Sequence, residues 1–481
     1  MPSTISRGDQ SVLAEQPMDS VDPSVVSGTI NGRLDRLPMT RHMWTLVMLI
    51  AAGGLFEQYD IYFTGYIAPG LFQSKLLTST TASFFDLNGL AAFLASLFVG
   101  LFIGTICFSY IADRFGRRAV FLGSMIWYSV TTFILAFQGS VHGLEVWRLI
   151  GGIGIGVEMI TIDTYISELA PRGARGQAFA LFYGLAQISA PLVAFLAWML
   201  VPARPFGFDG WRWVILFGSF GAALVLYLRR GLPESPRWLA QHGRLAEADR
   251  VLSAIEAKVQ AEYGKPLPEP EKVVGTVHPQ GRIAEMFGPV YRMRTIMLMI
   301  VNFCQTIGYY GFVSWIPTLL IAKGILVTRS LEYTFLIVLT YPVAPLIVML
   351  VIDRFERKWQ LVCSVISVAI IGTIFAMLDA PGWLIVVGCL QTLVVNWMST
   401  IVHAYQSELF PTWMRARAVG FVFSWSRLSS IFAGFFIAYF LRAFGQAGVF
   451  AFIGGAMAII ATTVAWLGPR VTGRALEEIA H

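Results

Sequence analysis

Six ionisable residues sit where hydrocarbon would surround them. Glu57 and Asp60 interrupt the first long apolar run, Arg148, Glu158 and Asp163 the fourth, and Arg427 the eleventh. An ionised side chain at a bilayer centre costs about 3 kcal/mol on insertion scales, so such groups point to ion pairs or a water-filled path. Carboxylates and guanidiniums in that setting suit two kinds of chemistry, holding a proton and gripping an anion. At 1.5 Å per residue Asp60 falls roughly 25 Å along a span that enters from one face. Arg148 falls just inside a span that starts from the other face, so their depths agree. A carboxylate facing a guanidinium keeps its charge, and a rearrangement that parts them favours proton uptake. The plainer reading is a structural ion pair with no proton role.

Glu57 shares a helical face with Asp60 and reads as a second protonatable group or a further partner for Arg148. Glu158, near mid-depth, holds a proton or pairs with Arg427, which lies at a similar depth. The guanidinium of Arg427 offers a bidentate fork to a carboxylate. A permanent pair with Glu158 is the competing reading. Gln305, Tyr309, Tyr310, Trp315 and Asn396 fall at the depth of a central pocket, where polar atoms between aromatic walls suit an oriented small molecule. His403 lies nearer the face that the first span enters from, reads as a gating or packing residue, and supports no metal site.

The elements that must position these groups follow from composition. Of 481 residues 56% are hydrophobic and 13% charged, and the mean hydropathy is +0.65. Apolar blocks of about 20 residues are long enough to cross a bilayer as helices. They lack the period-two alternation that a membrane β-barrel needs. The predicted fold class is an all-α membrane protein of twelve transmembrane helices in two six-helix pseudo-symmetric bundles. The first bundle is expected over 42–229 and the second over 294–468. A disordered tail over 1–41, a linker with short helices over 230–293 and a short tail over 469–481 complete the chain. Within the linker, residues 242–260 read as an amphipathic surface helix.

Charge placement gives an orientation. With the N-terminus in the cytoplasm, 27 of the 35 Lys and Arg residues lie on the cytoplasmic side, so both termini and the linker are expected there. The net charge of +6 is therefore topological, with no nucleic-acid partner implied. Cys107, Cys304, Cys363 and Cys389 lie in apolar runs without paired or metal-ligand spacing and read as packing residues. The polar opening residues do not form a cleavable signal peptide.

Two motifs recur with one offset. Asp113-Arg114-Phe115-Gly116-Arg117-Arg118 is echoed by Asp353-Arg354-Phe355-Glu356-Arg357-Lys358, and Ser167-Glu168-Leu169-Ala170-Pro171 with Arg175 by Ser407-Glu408-Leu409-Phe410-Pro411 with Arg415, each 240 residues later. Two motifs in one register indicate an internal duplication. A solute site is then expected near mid-membrane, where the halves face each other.

Together with Arg148 opening the fourth span and Pro233-Glu234-Ser235-Pro236-Arg237-Trp238-Leu239 after the sixth, these motifs resemble the major facilitator superfamily. The similarity extends from about residue 40 to 468. Within the superfamily the chain looks like the sugar porter and organic-acid:proton symporter branches. The resemblance implies that Asp60, facing Arg148, couples transport to protons. It also implies that Asp113, Arg114, Gly116, Arg117, Glu168 and Arg175, with Asp353, Arg357, Glu408 and Arg415, latch the halves together when the carrier opens outward.

The departures are informative. Ser109 replaces the usual Gly of the loop motif, and Glu356 stands where Gly116 stands in the first half. Gln305, Gly308 and Pro317 match the seventh span of sugar porters, but Cys304 and Tyr310 replace its hexose-ligating Gln and Asn. Ser399 to His403 replaces a Gly-Pro-x-x-Trp pattern. Phe56-Glu57-Gln58-Tyr59-Asp60 is similar to the first span of aromatic-acid:proton symporters, which favours a carboxylate solute.

A channel has no need of charge pairs that open and close with a cycle, and a sensor carries a longer signalling segment than the residues after Pro469. An enzyme needs a nucleophile with its base, a metal box or a cofactor loop, and Gly151 to Gly156 follows no strand. The expectation is a monomeric carrier in the plasma (inner) membrane, with no cofactor, whose partners are the bilayer, protons and a small organic anion. A proton-coupled sugar or polyol carrier is the alternative.

Overall fold

A computed structural model describes residues 23–78, 85–107, 111, 114–228, 231–270, 283–351, 354–410 and 412–470. Hydrocarbon offers no partner to a backbone N–H or C=O, and a helix satisfies them within one run. The first six spans are Arg41–Tyr66, Leu90–Cys107, Arg117–Ala136, Val141–Leu169, a fifth in two pieces (Arg175–Gln187 and Ser189–Leu200) and Gly210–Leu228. The second six begin with Arg292–Val313 and continue with an eighth in two pieces (Val327–Val338 and Ala344–Val351), Arg357–Met377 and Pro381–Glu408. The eleventh and twelfth share the helical stretch Thr412–Leu467, which turns at Gly445 with φ 64°.

Three spans expected to be continuous are broken, and proline explains each break. The seventh, expected over 295–320, stops at Val313 and resumes as Ile316–Ala322. A proline has no N–H to donate to the carbonyl four residues back. Pro317 so relieves the carbonyl of Val313, Pro191 that of Gln187 and Pro342 that of Val338, the last residue of each preceding helical piece.

Glycine sets how closely the second and fourth spans approach. A Cβ at Gly152 would sit 2.5 Å from the carbonyl oxygen of Leu97, and one at Gly156 2.5 Å from that of Leu101, while Gly100 and Gly104 meet the backbone of the fourth span in return. Small residues four apart let two membrane helices pack backbone to backbone. The glycine run 151–156 is therefore a helix contact.

The tail is where composition misleads. Residues 23–35 form a helix, although a disordered segment is expected over 1–41; residues 1–22 lie outside the described residues. Ile30 and Leu34 recur on one helical face and, with Leu37 just beyond the helix, are buried in one cluster with Trp238, Leu239, Leu252 and Ile255 of the linker. Arg33 bonds Asp249 and Glu256 at 2.6 Å each, and Arg36 bonds Glu256 at 2.8 Å. Three apolar residues in a polar stretch are thus enough to dock it. The linker helix itself runs Leu245–Tyr263.

Even numbers of crossings put the linker and both described ends on one face, here the linker face. Toward the far face the two bundles meet through aromatic contacts. Phe85 contacts Phe435 at 5.3 Å and Trp198 stacks on Phe335 at 5.8 Å. At the far end of the first span, Gly65 lies against the carbonyl of Ser314.

Candidate functional site

The first and fourth spans bring Asp60 and Arg148 together as their depths require. Arg148 Nη1 donates to Asp60 Oδ2 at 2.6 Å, and Thr132 Oγ1 donates to Asp60 Oδ1 at 3.1 Å. Arg148 Nη2 donates to the Asp60 carbonyl and to Thr64 Oγ1. The guanidinium lies over the Phe63 ring, 4.4 Å from its centroid. Both side chains are almost fully buried, at 1% and 3% exposure. Taking two charges out of water is costly, and the pair is tenable because Coulomb attraction and hydrogen bonds act together. Glu57, one turn below Asp60, and Glu158 are buried as well.

A layer of hydroxyls and amides joins the two bundles on the far side of Arg427. Tyr62 and Tyr309 share a hydrogen bond at 3.0 Å, and Gln187 Nε2 donates to Asn396 Oδ1 at 2.8 Å. Tyr62 also meets the Tyr341 ring edge-on at 5.7 Å. Tyr309 and Asn396, expected as solute ligands, therefore bridge the bundles here. Tyr310 and Trp315 lie further toward the far face, in a crevice with Phe98, Ser430 and Gly434, and do not join Arg427. Gln305 remains a candidate ligand, since its side chain is buried and its Oε1 has no protein hydrogen-bond partner.

Arg427 stands below this layer. It is 6% exposed, donates to the sulfur of Met159 at 3.4 Å and lies 5.0 Å from the Phe423 ring centroid. Among the described residues its guanidinium has no salt bridge, so the permanent pair with Glu158 weighed as an alternative is not formed. The acid that faces it is Asp163, within electrostatic reach but not in contact. Asp163, Tyr183 and His403 lie deep between the spans yet remain exposed. Such exposure marks the wall of a cavity open toward the linker face. His403 meets Phe423 edge-on at 5.3 Å and bonds Gln406 at 3.2 Å.

Sequence reasoning named Asp163 but gave it no role. Its place one turn beyond Met159 was readable from the four-residue spacing; that Met159 touches Arg427 was not, because that contact joins the two halves.

The charges at the linker face close within each bundle. Arg117 bonds Glu168 at 2.9 Å and Arg357 bonds Glu408 at 2.7 Å. Glu234 accepts from the backbone N–H groups of Arg117 and Arg118 at 2.9 and 3.1 Å. A Cβ on Gly116, whose φ is 96°, would sit 2.5 Å from that carboxylate. Arg237 donates to the Glu168 carbonyl and to Asp35, close to Arg175. Arg114 rests on Phe115. Among the described residues no ion pair of these groups joins one bundle to the other. Asp113, Asp353 and the Arg415 side chain lie outside the described residues.

Comparison with known proteins agrees with this architecture. The family model "Sugar (and other) transporter" matches residues 46–481. The putative metabolite transport protein YyaJ of Bacillus subtilis is 28% identical over 444 residues, covering 92% of this chain and 96% of its own. The niacin transporter NiaP of Acinetobacter baylyi is 26% identical over 456 residues, covering 93% and 98%. Among solved structures, the partially occluded inward-open form of the xylose transporter XylE from E. coli superposes with a TM-score of 0.72 at 20% identity, covering 90% of this chain and 99% of that one.

Proposed function

Because the chain belongs to the Sugar (and other) transporter family, within the major facilitator superfamily, we propose that it is a proton symporter of a small organic anion, working by alternating access. It is a multi-pass membrane transporter of the twelve-helix major facilitator fold, and not an enzyme. The observation that carries the anion reading is Arg427, a buried guanidinium at a cavity wall with no carboxylate in contact. A charge in that position is stabilised when an anion arrives, and two parallel hydrogen bonds to a carboxylate suit its geometry. The replacement of the hexose ligands by Cys304 and Tyr310 points the same way, and niacin, carried by one relative, is itself a carboxylate.

In this reading the linker face is cytoplasmic and the cavity opens inward. Asp60 is the coupling acid and Arg148 its charge partner, with Glu57 and Glu158 as further buried acids on the proton path. When the carrier opens outward the linker-face ends converge, and Arg117, Glu168, Arg357 and Glu408 exchange partners within their bundles for partners across the gap. A sugar or polyol is the second reading, favoured by the free amide oxygen of Gln305, which accepts a hydroxyl.

Uptake into proteoliposomes under an imposed pH gradient, competed by carboxylates or by sugars, tests the proposal. Competition by carboxylates and loss of accumulation with a protonophore are expected. Competition by sugars alone, or uptake indifferent to the protonophore, would overturn it.

A further inference from the structure

The one hydrogen bond that Arg427 makes with a side chain among the described residues crosses from one bundle to the other. Its Nη2 donates to the sulfur of Met159 at 3.4 Å, so the contact joins the eleventh span to the fourth. A thioether is a weak, uncharged acceptor. Stronger acceptors are at hand on the same helix, Glu158 beside Met159 and Asp163 one turn further on, yet among the described residues neither forms an ion pair with Arg427. The atom that meets the guanidinium is the neutral one.

Packing holds that atom in place. Met159 lies against the apolar cluster of the first bundle that contains Leu101, Tyr128 and Ile155, and the Phe423 ring, 5.0 Å away, borders the guanidinium from its own span. A buried guanidinium with no acceptor is costly, whereas one locked to a buried carboxylate is closed to solute. A thioether falls between these extremes. We propose that Met159 is a placeholder ligand of Arg427, a positioning residue that satisfies the guanidinium in the empty carrier and yields it to the solute carboxylate. This deepens the organic-anion reading and rests on it.

Two consequences follow from the placement. The placeholder belongs to the opposite bundle, so the solute that displaces it also removes a tie between the bundles beside the cavity. Anion affinity is set in part by how strongly residue 159 competes for the guanidinium. A side chain without an acceptor gives it up freely, an amide oxygen competes harder than sulfur, and a carboxylate keeps it.

The test measures binding of acetate, benzoate and nicotinate to the full chain in lipid nanodiscs by calorimetry. The native protein is expected to bind at least one of them. For that acid, Met159→Leu should tighten binding about twofold, Met159→Gln should weaken it about fivefold, and Met159→Glu should abolish it. In an Arg427→Gln background the Leu and Gln variants should differ by less than about twofold, a dependence that a packing role would not produce. Native affinity in all three variants, or a difference between Leu and Gln that survives the loss of Arg427, would overturn the placeholder role while leaving the anion reading in place. Failure of the native protein to bind any of the three acids would overturn both. The Leu and Gln variants report the competition separately, so the outcome does not depend on the folding of either one.

Discussion

The Asp60–Arg148 pair and the Arg427–Asp163 pair hold the same charges in opposite arrangements. The first is closed: carboxylate and guanidinium touch at 2.6 Å, Thr132 and Thr64 add hydrogen bonds, and both side chains are almost fully buried. The second is open: among the described residues Arg427 and Asp163 form no ion pair, and Asp163 lies within electrostatic reach of the guanidinium without touching it. A dry, satisfied pair is stable as it stands and releases energy only to a rearrangement, whereas an unsatisfied pair responds to whatever diffuses in. The difference suits the roles proposed for them, energetic coupling for the first and recognition for the second. A carrier needs both, and it needs them apart, so that the solute does not short-circuit the proton step.

Breaking the closed pair is expected to have the largest effect. Asp60→Asn should abolish accumulation against a gradient while preserving solute exchange. Removing one partner of a buried pair also costs about 3 kcal/mol of stability, so a thermal-unfolding trace should accompany the transport assay. Net accumulation by this variant would end the assignment. Opening the other pair further comes next. Arg427→Gln should weaken carboxylate binding by a factor on the order of 30 or more, as expected for losing one partner of a charged hydrogen bond, without changing proton leak in the absence of solute. Unchanged affinity would move the anion site elsewhere.

Smaller effects test what holds the two regions in register. Tyr62→Phe removes the Tyr62–Tyr309 bond between the bundles, worth about 1 kcal/mol. The population should shift several-fold toward the outward-open state, read by distance measurements between spin labels at the linker face. No shift would show that the layer is not a gate. At the linker, burial raises the Glu256 carboxyl, but hydrogen bonds from Arg33 and Arg36 outweigh it and hold the group below its ordinary value. The stabilisation is therefore present above the ordinary carboxylate range and lost as pH falls through the lowered value. Hydrogen exchange in residues 23–35 should rise only at pH values below the ordinary carboxylate range, and Glu256→Gln should raise it at neutral pH as well.

The twelve spans and the twofold repeat were legible because helix length in a bilayer and a fixed offset are properties of a single line of residues. The Asp60–Arg148 pair was legible too, since counting residues fixes depth. What lies sideways was not. Residue counting places Tyr309 and Arg427 within the membrane but not on which side of the bundle contact each falls, so Tyr309 and Asn396 were grouped with Arg427 although they bridge the bundles. The N-terminal helix was hidden for another reason. Its docking depends on Ile30, Leu34 and two arginines meeting a linker helix more than 200 residues away, and composition averages such residues out.

In the proposed mechanism Asp60 moves a proton with each productive cycle. Proteoliposomes carrying a pH-sensitive dye, given a carboxylate solute on the outside, report it directly. The native protein should acidify the lumen in step with solute entry, and Asp60→Asn should exchange labelled solute without acidification. Solute entry by the native protein with no movement of protons, or acidification that persists in Asp60→Asn, would contradict the claim.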